Sequence, residues 1–474
     1  MRVKIDNFHG ILPRTNPSLL GAGMAVRAHN CKLKNGKLVP IRQPAAIDGS
    51  FVYKEGGLER LSDAQTMHVW RWRGFDGAAL TFIAFKGITW MAEGNVADDE
   101  YDRVFIAGDT GVRFDDGVSV FDNTPAVFLH NRASNTYDRL SLVKTPVGAF
   151  SASAGEPDES KTVYFSAFFA SWYDRYGYES GLSDATEILQ INDGDPVSFT
   201  VAGIPRDADG VRVYMSRGGT QESSDGIQFL MDHALTAEEK ASHGATFEKN
   251  IHPDEVGESE PGIEPIPVDM RCMMHVPGNF YVGFSAGAPK TVMFSDVGVV
   301  TSWPVAYRYN VKDNIVALAV TSNTVFVLTD GWPWVLSGTA PESMTAAKLA
   351  GPAACVSPRG VCVYRNSVYF ASNEGLMAIV NDANSGTVCV NVTDKIFTKD
   401  QWLAKNPSTC ILAQHDGALH MFFRRVDGTP DEGLVLDLNE SADAVTTHDE
   451  AAQCVCVDNA TDTMYFVRNL GEEV

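Results

Sequence analysis

The sequence predicts an all-β protein, a discontinuous β-propeller with an inserted fibronectin/immunoglobulin-like β-sandwich. Short apolar runs rich in β-branched and aromatic residues recur along the chain between turn signals. Pairs of such runs repeat at roughly 40 to 50 residues, and no pair can bury both faces alone, as in propellers and related arrays. Between Ser160 and Pro267 the texture changes to about seven short strands, the number of a small sandwich.

Length and composition agree. A chain of 474 residues suggests two or three domains, although closed all-β architectures run longer as one unit. Hydrophobic residues at 44% and charged residues at 21% are those of a globular protein, and 41 Gly and 22 Pro, spread out, fit many tight turns. The net charge of −22 argues against general binding to nucleic-acid phosphates, which needs a surplus of Lys and Arg. It does not prevent DNA from passing by without adhering.

The first residues, MRVKIDNFHGILPR, carry no apolar signal core, and no run of about 18 apolar residues reads as a membrane anchor, so folding in a cytoplasm is expected. The eight cysteines, Cys31, Cys272, Cys355, Cys362, Cys389, Cys410, Cys454 and Cys456, form no CxxC and no tight scaffold spacing. Most lie beside Val or Ile, where a free thiol serves as a small core residue. The sequons at Asn391, Asn439 and Asn459 have no meaning without secretion.

In chain order, residues 1–48 are an N-terminal arm. Asn16-Pro17 is expected to cap a short helix through Leu19, Leu20, Met24 and Ala28. Gly21-Ala22-Gly23 starts like a dinucleotide fingerprint but has Val26 where the third Gly belongs and no preceding strand. Residues 49–155 are the first propeller part. Met67–Trp72, Leu80–Phe85 and Thr89–Met91 form one expected unit, and Arg103–Ala107 with Val112–Phe114 the next. Residues 123–160, with Pro125, Pro146 and SASAGEPDES, have the composition of a linker.

Residues 156–267 are the inserted sandwich, interrupted by a short helix at Thr236-Ala237-Glu238-Glu239, a capping-box sequence. The acidic, Pro-rich run Pro253–Pro267 returns the chain to the propeller. Residues 268–474 are its second part. Ile315–Val320 and Val325–Leu328 flank a Ser322-Asn323 turn there, and Thr398 with Gln401 caps a second helix that Pro407 ends. The spacing gives roughly six units. The loops at Trp303-Pro304 and Trp332-Pro333-Trp334 are expected to be rigid connectors between units.

Several motifs, taken in order, resemble those of tailed-phage tail proteins of the podovirus tail-nozzle or tail tubular protein B type. They are Phe8–Arg14 with Leu19-Leu20, Ala25 and Ala28-His29-Asn30; Gly36–Pro40; Tyr173-Asp174-Arg175-Tyr176-Gly177-Tyr178-Glu179-Ser180; Met293–Asp296 with Trp303-Pro304; Val327–Val335; Cys355–Arg359; and Tyr369–Leu376. The resemblance implies a virion structural protein that assembles as a homo-oligomeric ring, a hexamer, around the DNA channel below the portal and its adaptor. It implies assembly in the bacterial host cytoplasm, contact with tail fibre or spike proteins, and a part in gating or guiding DNA ejection. Part of the negative charge lining a lumen would keep DNA from adhering, since like charge repels within about 8 Å at physiological salt. Ordinary solubility accounts for that charge equally well.

The rival is a carbohydrate-binding or glycoside-hydrolysing propeller, a receptor-binding tail protein. Ser295-Asp296-Val297-Gly298 with Trp303 resembles the Asp-box turn of sialidase-type propellers, but Asp and Gly come one place early and Trp too late. Glycoside hydrolysis needs two carboxylates at a set separation. The acidic clusters Asp98-Asp99-Glu100, Asp115-Asp116 and Glu258–Glu264 fall in turns and are expected to be solvated. His415 and His420 flank an Asp416-Gly417 hairpin turn with no third zinc ligand nearby in sequence. GxSxG, HExxH and GxxxxGK[ST] do not occur. Trp70, Trp72, Trp172, Tyr173, Tyr176 and Tyr178 could stack sugars or bases but are assigned to core or interface. Arg175 and Arg217 are expected to pair with the sandwich's own acidic surface. The sequence thus points to a non-enzymatic assembly protein, with no catalytic, cofactor or metal residue assigned.

Overall fold

A computed structural model describes residues 8–468 apart from 35–36, 42–43, 46–51, 55–63, 72–79, 97, 110, 116–117, 123–125, 135, 141–148, 157, 159, 206, 219–225, 253–255, 259–261, 352, 383–385, 426–431 and 439–443. Its architecture is all-β, a propeller interrupted by a β-sandwich.

Seven small sheets, counted among the described residues, make the ring. Blade 1 holds Thr66–Arg71 and Leu80–Phe85, with Val52–Lys54 parallel to the latter. Blade 2 holds Thr89–Glu93, Arg103–Gly108, Ala126–Asn131 and Thr136–Arg139, with the hairpin Gly111–Asp115/Val118–Asp122 between its second and third strands. Blade 3 is Met270–Val276, Phe280–Ser285, Thr291–Phe294 and Arg308–Asn310; blade 4 is Ile315–Thr321, Thr324–Thr329, Trp334–Ser337 and Thr345–Lys348. Blade 5 is Val361–Tyr364, Ser367–Ser372, Gly375–Asp382 and Gly386–Asn391; blade 6 is Ile411–His415, Ala418–Phe422, Gly433–Asp437 and Val445–His448. Blade 7 is the hairpin Cys454–Asp458/Thr463–Val467.

Period-two alternation closes this ring. Because successive side chains in a strand point to opposite faces, each blade offers one set of apolar residues to each neighbour. Phe82 and Ala84 of blade 1 pack with Met67 on Cys454 and Val467 of blade 7, while the intervening Ile83 and Phe85 pack on Ile106 and Phe128 of blade 2. Phe105, Ala107 and Leu129 of blade 2 turn the other way, onto Met270, Tyr281 and Met293 of blade 3. One core runs through blades 3, 4 and 5, another joins blades 5 and 6, and Ile411 and Phe422 of blade 6 pack with Ala452 and Val455 against blade 7.

The expected six units are therefore seven. Thr89–Glu93 pairs with Arg103–Gly108, not with Leu80–Phe85, so what looked like one three-strand unit is split between two blades. Within the expected linker 123–160, Ala126–Asn131 and Thr136–Arg139 are two strands of blade 2. The sandwich starts earlier than residue 156: Phe150–Ala154 is its first strand, paired with Pro196–Ala202, which pairs in turn with Gly244–Asn250. The facing sheet runs Leu189–Asn192, Val163–Tyr173, Gly210–Gly218 and Ile227–Ala234. Phe150, Phe199, Val201 and Phe247 from one sheet meet Phe168, Trp172, Val211 and Val213 from the other. The helix Ala237–Ser242 begins at Thr236 with both capping-box bonds to Glu239 in place, and Lys399–Leu403 begins at Thr398 with the same box to Gln401.

The arm lies along blades 5 and 6, with Phe8, Ile11, Ala28 and Leu33 entering their shared core. The Ala28 carbonyl accepts the Thr447 N–H at 2.8 Å and the Thr447 carbonyl accepts the Asn30 N–H at 2.8 Å, which covers the outer edge of blade 6. Its expected helix shrinks to one 3-10 turn, Pro17–Leu19. Asn16 does cap it, but Gly23 at φ 83° turns the chain into Met24–Ala25, which pairs with Gly10–Ile11. The Trp-Pro loops lie inside blades 3 and 4, joining strands of one sheet rather than successive units.

Candidate functional site: the propeller–sandwich joint and the axial cavity

The segment 173–180 leaves the longest sandwich strand and folds back on itself. Asp174 makes this turn: its carboxylate accepts the N–H groups of Tyr176 and Tyr178, both at 2.9 Å, and its carbonyl accepts the Gly177 N–H at 2.9 Å. Gly177 sits at φ 78°, a left-handed conformation that costs Gly little. The turn aims Tyr176 and Tyr178 at blade 2.

There Arg103, buried, forms the centre of the joint. Its Nε donates to Asp99 at 2.7 Å and its Nη1 to the Tyr178 hydroxyl at 3.1 Å. The rings of Tyr101, Tyr176 and Tyr178 surround the guanidinium at 5.6, 5.5 and 5.3 Å, within cation–π range. Asn131 Nδ2 donates to the Tyr176 hydroxyl at 3.1 Å, and that hydroxyl donates to Asp138 at 2.7 Å. Arg175 pairs with the same Asp138, so its partner belongs to the propeller and not to the sandwich surface. The side chain of Arg217 lies outside the described residues; among the described residues Arg212 pairs within the sandwich, with Glu179 at 2.6 Å and Asp232 at 3.1 Å.

Burial governs the electrostatics. It pushes the Asp174 carboxyl up to about 7, against the two N–H bonds that favour its ionised form, and pushes the Tyr176 and Tyr178 hydroxyls up to about 12. Burial would also raise Asp99, but the bonds from Arg103 outweigh it and hold that carboxyl below its ordinary value. Solvation is expected of the acidic turn 98–100, but its middle residue Asp99 is 10% exposed and holds the joint's arginine. Glu179, 5% exposed, accepts from the Tyr214 hydroxyl at 2.6 Å, from Arg212 and from Ser171.

The other lookalikes also make local structural contacts. Asp296 accepts from the Ser302 hydroxyl at 2.7 Å, and Trp303 is fully buried with its Nε1 donating to the Val300 carbonyl at 2.8 Å, so the Asp-box-like segment is an internal turn of blade 3. His415 and His420 flank the expected hairpin turn, Asp416 at φ 48° and Gly417 at φ 71°, and His415 Nε2 meets the Asp462 carbonyl at 2.9 Å. Trp172 fills the sandwich core, and the Tyr173 ring lies under Arg212 at 5.1 Å. The side chains of Trp70 and Trp72 lie outside the described residues. All eight cysteines are free thiols, four buried and four half-buried.

A cavity of about 330 Å³ opens on the propeller axis. The first strands of blades 1, 2, 6 and 7 and the Pro358-Arg359 loop before blade 5 line it. His68 Nε2 lies 3.0 Å from the Thr89 hydroxyl, and burial lowers the imidazole to about 4. Arg359 Nη1 donates at 3.1 Å to each of the Gln65 and Gln453 carbonyls, which ties blade 5 to blades 1 and 7 across the axis. The sequence showed Arg359 only as part of a motif, and nothing in its spacing marks a partner 294 residues away.

No protein-family model matches the chain, and no curated protein sequence matches it. Among solved structures it is similar to apo AztD from Citrobacter koseri, at 12% identity and TM-score 0.28 over 64% of this chain and 77% of that one. It is also similar to Kluyveromyces lactis Hsv2, at 9% identity and TM-score 0.22 over 50% and 58%, and to the AfRom2 CNH domain, at 7% identity and TM-score 0.26 over 65% and 80%. Superpositions this loose say nothing about what the chain does.

Proposed function

We propose that the chain is a structural component of a phage tail, a nozzle or tail-tube end. In this reading it assembles as a homo-oligomeric ring, a hexamer, around the DNA channel below the portal-side adaptor, and guides or gates DNA delivery. The ordered motif resemblance along nearly the whole chain supports it. The observation that carries it is what the most distinctive of those motifs does. Asp174, Arg175, Tyr176 and Tyr178 are all engaged in fixing the sandwich on blade 2, so the chemistry of the motif is rigidity rather than turnover. A closed ring of blades with a firmly seated side module suits a wall that must keep its shape while DNA passes.

The test is assembly. Sedimentation and electron microscopy of the purified chain, alone and with its portal-side partner, should give a symmetric ring with an open centre. A chain that stays monomeric in both preparations, or that cleaves glycans as a monomer, overturns the reading.

A further inference from the structure

We propose that the axial cavity binds a small oxyanion, with the Arg359 guanidinium as its anchor. This goes beyond the assembly role and does not depend on it. Arg359 stands on a fixed loop: its carbonyl accepts the Leu412 N–H at 3.0 Å, the Ser357 hydroxyl donates to the Cys410 carbonyl at 2.7 Å, and the Gly360 N–H returns to the Ser357 carbonyl at 3.1 Å. The two bonds to Gln65 and Gln453 use both hydrogens of Nη1. Among the described residues no bond engages the Nε–H or the two Nη2 hydrogens, and Nε with Nη2 forms the flat edge that grips a carboxylate or phosphate with two parallel bonds.

The charge around Arg359 is what an anion would relieve. The chain has 60 acidic residues, yet among the described residues none lines the cavity. The bonds that Arg359 makes among the described residues go to neutral carbonyls; beside burial, the cation Arg424 acts against its charge, and the Cys454 and Cys410 thiols act for it to a smaller extent. Burial and that like charge both disfavour the guanidinium's own charge, and an anion seated in the cavity offsets both. Across the cavity, the Thr66 hydroxyl donates to the Gly87 carbonyl at 2.8 Å and lies 2.8 Å from the Thr89 hydroxyl, so this side is neutral and already paired, and Met67, Met91 and Ile411 line it as well. A space of about 330 Å³ lies at the low end of small-molecule pockets, roughly 300–1,000 Å³. It fits a phosphate- or carboxylate-bearing small molecule and excludes a folded partner.

The experiment is calorimetric titration of the full chain with inorganic phosphate and, separately, with acetate, at an ionic strength held constant with chloride. Saturable binding of one anion per chain is expected, at least about tenfold weaker in Arg359→Gln, and the tighter of the two anions assigns the ligand's head group. Since Arg359→Gln also gives up the ties to blades 1 and 7 and could fail to fold, a second measurement uses the unaltered protein. Crystals soaked in tungstate should show an anomalous peak within hydrogen-bond distance of Arg359. No saturable binding of either anion, undiminished binding by a folded Arg359→Gln, or anomalous peaks only away from the cavity would overturn the proposal.

Discussion

Arg103 of blade 2 donates a hydrogen bond to the hydroxyl of Tyr178, 75 residues later in the inserted sandwich, at 3.1 Å. The two modules are thereby joined through one buried cation, whose charge Asp99 balances from the propeller side and three tyrosine rings share. Removing the cation should therefore cost more than removing one acceptor. Arg103→Met leaves Asp99 without its ion-pair partner and is expected to destabilise by about 3 kcal/mol or more. Tyr178→Phe removes one bond to a charged donor and should cost about 1.5–3 kcal/mol. Denaturant midpoints of the two variants test the order, and equal losses would show that the ion pair does not hold the joint.

Gly210 gives a steric test of the same segment. A Cβ at this position would fall on the Tyr173 ring, which packs under Arg212 at 5.1 Å. Gly210→Ala should push that ring aside and cost about 1–3 kcal/mol, the range of an overpacked site. Adding Tyr173→Ala to Gly210→Ala should recover part of the loss. A double variant no more stable than Gly210→Ala alone would place the cost in the backbone instead.

What the sequence made legible was local. Alternating apolar runs gave the strands, and Thr236 with Glu239 and Thr398 with Gln401 gave the two α-helices among the described residues, because caps and periodicity act within a few residues. The change of texture gave the inserted sandwich. Blade membership was not legible, since Thr89–Glu93 has the same pattern whether it pairs with the strand before it or the strand after it. The joint and the cavity were hidden for a related reason. Asp99 in an acidic turn looks solvated until Arg103 is known to be folded under Tyr178, and Arg359 gives no sign of reaching Gln65. Such contacts come from closure of the ring.

Asp174 makes the joint sensitive to pH. Its folded pKa, raised to about 7, exceeds its unfolded value of about 3.9, so the folded state holds the proton more tightly. Its contribution is complete below about pH 4 and is lost as pH rises through 7. Asp174→Asn keeps an oxygen for the Tyr176 and Tyr178 N–H groups and cannot ionise. Relative to wild type, its melting temperature should gain between pH 4 and 7, and a constant difference across that window would exclude this assignment.

Three histidines work in the opposite direction. Burial lowers His68 and His448 to about 4 and His420 to about 3, the last helped by the nearby charges of His448 and His415. Their folded values lie below the ordinary value near 6.5, so their contribution is complete above that pH and lost as pH falls toward 4. In wild type the histidine and Asp174 slopes partly cancel between pH 4 and 6.5. Single substitutions should separate them. His420→Leu, beside its cross-strand neighbours Ala413 and Val435, removes one acid-sensitive group and should flatten the rise of melting temperature with pH, whereas Asp174→Asn should steepen it. If both variants shift the profile in the same direction, the opposed titrations do not set the pH dependence of this fold.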